Sequence, residues 1–184
     1  YSITNGDWND SNTWSPDSCN GATDGTFPTL SDDVYICDGD TVTVNVDSEC
    51  NSLAFTQNGD NTSLLIIDNG VSLTITNTLY YNTPTDVNGK QLVNVLGTLN
   101  CDGIYMPNTS NVNSVLKLFI DAGTVNLSSN FEMLGDAVEK NIIEFSGAGV
   151  INIGGVFDKI LCTFIQDVGT VNYNDIEAQL IADF

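Results

Sequence analysis

The sequence predicts an all-β chain wound as a single-stranded parallel β-helix (a β-solenoid), and three observations lead there. A glycine-headed tetrad recurs as GTLN at 97–100, GTVN at 123–126, GVIN at 149–152 and GTVN at 169–172. The glycines at 70, 97, 123, 149 and 169 are spaced by 27, 26, 26 and 20 residues, and internal periods of about 20–50 residues mark solenoids, propellers or arrays. After each glycine, apolar Leu99, Val125, Ile151 and Val171 alternate with Asn100, Asn126, Asn152 and Asn172; a period of two is a strand with its apolar set turned inward. A propeller blade needs about 40 residues, so the solenoid is preferred, with about six turns and the right-handed sense that parallel crossovers favour.

The elements follow in chain order. Residues 1–30, YSITNGDWNDSNTWSPDSCNGATDGTFPTL, have little periodicity and hold both tryptophans. They are expected to form an N-terminal cap over the first turn, whose strand edges would otherwise stay unpaired. Residues 31–184 are the solenoid. GDTVTV from Gly39 is read as an early relative of the tetrad with one extra residue. SLLIID, QLVNVL, VLKLFID, NIIEFS and CTFIQD are rich in the residues that pleated, half-buried surfaces prefer. DNG, DAG, GAG and DVG supply tight corners. Turns stacked about 4.8 Å apart place like on like: a Leu/Val/Ile column inside, and an outer ladder of Thr43, Thr74, Asn100, Asn126, Asn152 and Asn172. Only IEAQLIADF at the end has a weak helical character. No matching cap follows it, so the native chain is expected to continue past Phe184 or to be covered there by a partner.

Composition narrows the function classes. Twenty-four acidic residues oppose four lysines, giving −20, and the chain has no arginine or histidine. A field of that sign repels phosphate backbones and anionic bilayers, so neither nucleic acid nor membrane insertion is expected. No apolar run approaches the ~20 residues that span a bilayer. Without histidine the serine triad and histidine metal sites fall away, and the cationic groove that acidic-polysaccharide eliminases need is missing. The reading is non-enzymatic.

Asp32, Asp33, Asp38 and Asp40 cluster in sequence and make calcium the one candidate cofactor, since hard cations want six to eight oxygens; corner-forming aspartates are the plainer alternative. Cys19 and Cys37 flank a 17-residue polar stretch and are expected to form a disulfide, with Cys37 facing away from the core. Cys101 and Cys162 read as small buried residues, and Cys50 as intermediate. Trp8 and Trp14, with Tyr1, Tyr35, Tyr80 and Tyr81, are candidate platforms for sugar rings, although tryptophans in a cap more often plug the core.

NGDWNDSNTW followed by FPTLSDDVYICDGDTVTVNVDSECNSLAF resembles the opening of β-helical modules in large bacterial cell-surface proteins, adhesin-like and exported by the type IX route. Trp8, Trp14, Pro28, Asp32, Asp33, Val34, Ile36, Gly39, Thr41, Val42, Val44, Cys50, Ser52 and Leu53 occupy the matching positions. The tail GTVNYNDIEAQLI looks like another recurrent unit of such proteins, and a more distant likeness is to the G8 domain. DSCNGATDGT is an insertion relative to that pattern. The resemblance implies a secreted, non-catalytic structural or adhesive module, packed against neighbouring repeats or subunits. The alternatives are a glycan-binding module, an ice-binding surface and a β-helical polysaccharide-degrading enzyme.

Overall fold

The computed structural model describes residues 1–56, 59–83, 88–108, 114–134, 141–160, 163–166 and 169–178. In chain order its strands are β1 (Gly6–Asp7), β2 (Asp33–Ile36), β3 (Thr41–Val44), β4 (Ser48–Cys50), β5 (Ser52–Phe55), β6 (Thr62–Ile67), β7 (Ser72–Tyr80), β8 (Lys90–Val95), β9 (Thr98–Met106), β10 (Val115–Asp121), β11 (Thr124–Leu127), β12 (Phe131–Leu134), β13 (Asn141–Ser146), β14 (Val150–Ile160), β15 (Thr163–Gln166) and β16 (Thr170–Ala178). The single helical element among the described residues is one 3-10 turn, Ser11–Thr13, whose N-cap Asp10 accepts from the Asn12 amide. The helical character expected at the C-terminal end is not realised over Ile176–Ala178, which belong to β16; the remainder of that segment lies outside the described residues.

Among the described residues every pairing between these strands is parallel. One sheet runs β1-β3-β6-β8-β10-β13-β15; the other is built on β2, β5, β7, β9, β11, β12 and β14, with β4 pairing β7 and β16 pairing β14. The chain is therefore a β-solenoid that alternates between two sheets. Leu73, Leu99, Val125, Ile151 and Val171 stand in one register file, as the sequence period requires. A second inward file is Cys50, Ile75, Cys101, Leu127 and Ile153. Opposite them, Val42, Leu65, Val93, Leu118 and Ile143 line the other sheet. All but Val171, which packs against the others, are buried in one continuous core.

The recurring glycines have a physical reason. A Cβ at Gly97 would collide with the carbonyl oxygens of Asp68 and Val71, and one at Gly123 with that of Val95. The corner backbone of one layer presses so closely on the next that only hydrogen fits there.

Thr43 does not continue the outer ladder. It lies on β3 in the other sheet, beside Ile66, and the place above Thr74 is taken by Glu49. GDTVTV mimics the tetrad locally, but β3 pairs with β6 (Thr62–Ile67), one of the runs that precede a tetrad, and so occupies the opposite wall.

Three inward polar side chains fasten corners to the core. Ser63 Oγ donates to the Cys37 carbonyl, Gln91 Oε1 accepts from the Asn82 amide, and Asn141 Nδ2 donates to the carbonyls of Leu134 and Pro107. Each is buried, and each supplies a bond that irregular backbone would otherwise lack. The N-terminal segment runs along the outer edge of β2 and β3: the Ser2 amide donates to the Tyr35 carbonyl and the Trp8 amide to that of Thr43.

Candidate functional site

The outer ladder is the most regular chemical feature. Asn126 Nδ2 donates to Asn100 Oδ1 at 2.9 Å, Asn152 to Asn126 at 2.8 Å and Asn172 to Asn152 at 2.8 Å. Parallel in-register pairing puts identical side chains one strand spacing apart, and an amide holds both a donor and an acceptor, so each asparagine bonds the next. Thr74 shares this file by register. The adjoining file is Ser72, Thr98, Thr124, Val150 and Thr170. A shorter rung joins Asn77 Nδ2 to Asn51 Oδ1 at 2.8 Å.

The four candidate calcium ligands are not brought together. Asp32 and Asp33 stand before and at the start of β2 while Asp38 and Asp40 lie beyond its end, and four extended residues span about 13 Å. Each carboxylate is held by local donors: Asp32 by Thr29, Asp33 by Asn51 and Ser52, Asp38 by Asn61, and Asp40 by Ser2. The hydrogen bonds from Ser52 and Asn51 hold the Asp33 carboxyl below its ordinary range. No group of three metal-ligating side chains occurs among the described residues.

Cys19 and Cys37 form the expected disulfide. Cys37 is nevertheless buried, because the N-terminal segment folds over it and Ser2 Oγ accepts its amide at 2.8 Å. Cys50 and Cys101 are free and buried. Burial pushes the Cys50 thiol up to about 12 and raises that of Cys101 too, with nearby carboxylates adding to both, so both stay protonated and inert. Cys162 lies outside the described residues.

Trp8 and Trp14 are 1% and 4% exposed, packed edge to face at 5.1 Å, with Trp14 Nε1 donating to the Trp8 carbonyl. They are part of the buried core, and neither presents a face to a sugar. Tyr81 is likewise internal, its ring against Phe55 and its hydroxyl donating to the Lys117 carbonyl. Tyr35, Tyr80 and Tyr105 point outward in one file of the second sheet, and Tyr173 is exposed on β16. Sequence inspection missed Tyr105; its spacing of 25 residues from Tyr80 was the available signal.

Two grooves flank the ridge of Phe27 and Pro28, where Phe27 is 49% exposed. The larger, 530 Å³, is lined by Trp8, Phe27, Val46, Glu49 and Thr74, among others. The smaller, 230 Å³, meets Tyr1, Trp14, Asp24, Asp32 and Asp33.

The outer face of the β1–β15 sheet has a different character. Leu64, Ile66, Leu92, Phe119 and Ile142 point outward there, partly exposed, between the buried residues of the same strands. Lys117 pairs with Glu144 at 2.8 Å and lies over the Phe119 ring. This apolar face was also missed, though LLII and NII, apolar on both sides of the pleat, announced it.

The chain matches no protein-family model, no curated protein and no solved structure.

Proposed function

We propose that the chain is a non-catalytic, extracellular structural or adhesive module of a bacterial surface protein or filament, seated through the apolar outer face of its β1–β15 sheet against neighbouring repeats or subunits. That face is the observation that carries the reading. Leu64, Ile66, Leu92, Phe119 and Ile142 present hydrocarbon where a solvated strand would carry polar groups, and contiguous exposed apolar surface marks an interaction site. The disulfide supports an oxidising compartment. The carboxylates of the first sheet strands serve as corner acceptors rather than as a facing acid and base.

The test is to replace Ile66 and Leu92 together with lysine. Both side chains point outward, so the melting temperature is expected to move by only a few degrees. Antibody labelling and crosslinking on intact source cells should then lose the assembled form. Retained assembly, or labelling that appears only after permeabilisation, overturns the proposal.

A further inference from the structure

The outward tyrosine file reads Tyr35, Ala54, Tyr80, Tyr105 and Glu132 in successive register. Tyr1 stacks on Tyr35 with 4.7 Å between centroids and 15° between planes; Tyr80 and Tyr105 stack at 4.7 Å and 20°. The rings thus lie across the coil axis, one to a layer. At Ala54 the rung is missing. Two strand spacings separate Tyr35 from Tyr80, about 9.6 Å, which leaves a slot one ring thick. By register, Tyr35 and Tyr80 bound this gap on either side and Ala54, which is partly exposed, lies at its base.

We propose that this slot binds a pyranose ring of a neutral glycan, held between Tyr35 and Tyr80. A ring seated midway lies about 4.8 Å from each tyrosine, a separation within the range of stacked rings. It matches the spacing of the two tyrosine pairs that flank the slot. The rim is polar. Asp33, Ser52 and Thr78 stand two residues earlier on the same outward faces, about 6.6 Å along the strands. Ser52 Oγ and Asn51 Nδ2 already donate to Asp33 Oδ1 at 2.6 and 2.8 Å. Both of those bonds use Oδ1, so Asp33 Oδ2 and the Thr78 hydroxyl stand at the perimeter for sugar hydroxyls, which an aromatic side chain does not carry along its edge. The charge of −20 and the Asp33 carboxylate beside the slot select against uronic acids. The inference does not depend on the apolar face of the other sheet.

The experiment measures binding of the whole chain to cellohexaose, chitohexaose and mannohexaose, with hexagalacturonate and a tyrosine-rich neutral peptide as competing arms. At least one neutral hexamer is expected to bind. Ala54→Tyr completes the aromatic file and should weaken binding at least about tenfold, with melting temperature and near-UV circular dichroism retained. Tyr80→Ser is the second variant; this ring is 42% exposed, so its loss leaves the core intact, and it should weaken binding similarly. Failure of every neutral hexamer to bind overturns the proposal. Binding that both variants keep, or a preference for hexagalacturonate or the peptide, overturns it equally.

Discussion

On one side of the coil, asparagines, threonines and tyrosines stand over their own counterparts, the asparagines bonding and the tyrosines stacking from layer to layer. On the other side, the same parallel register lines up Leu64 with Leu92 and Ile66 with Asn94 and Phe119, still partly open to solvent. Both walls close over one interior of the same kind. The difference teaches that in-register stacking is indifferent to chemistry. It stacks whatever a position holds, so a polar wall satisfies itself along the axis, whereas a hydrocarbon wall still gains by being covered.

Substitutions can break or sharpen that contrast. The largest effect should be inside, where the walls are alike. Leu99→Ala on one and Leu118→Ala on the other, both fully buried, are each expected to lower stability by about 3 kcal/mol in urea unfolding. A large inequality between them would show that the walls differ within as well as without.

Next comes Asn126→Ala, which removes one bond given and one accepted and should destabilise by about 1–2 kcal/mol. Its mirror on the hydrocarbon wall is Asn94→Leu. Asn94 Oδ1 is buried without a hydrogen-bond partner between Ile66 and Phe119, so this change is expected to stabilise by about 1 kcal/mol. Two asparagine replacements of opposite sign would be the sharpest form of the comparison; equal signs would dissolve it.

The smallest effect is electrostatic. Hydrogen bonds depress the Asp33 carboxyl in the folded state, so its stabilisation is present above the unfolded carboxyl range and is lost as pH falls through the folded value. Asp33→Asn should flatten that acid limb slightly in a melting series from pH 6 down to about 2. Thiol labelling gives a separate check on the shared interior: Cys50 and Cys101 should resist maleimide until denaturant is added.

Much of this architecture could be read before any coordinates. Leu99, Val125 and Ile151 fall in one file because a constant spacing of 26 residues leaves a parallel stack little choice. The Cys19–Cys37 link followed from their short separation in a polar loop. Other features needed three dimensions. Thr43 went to the opposite wall because a four-residue phrase carries no label for the sheet that holds it. The aspartates around β2 are near in sequence but not in space, because an extended strand sets its two ends apart. The tyrosine file was hidden by an irregularity between Ile75 and Thr78, which shifts register by one and turns a spacing of 26 into 25.

The asparagine row has a direction. Three bonds run from Asn172 down to Asn100, each handing a hydrogen toward the N-terminal end, and the two middle amides, Asn126 and Asn152, both give and receive. Four side-chain dipoles consequently point the same way and polarise one another. A change at any one rung is felt by those on both sides, which makes the row behave as a single tensioned thread rather than as separate knots.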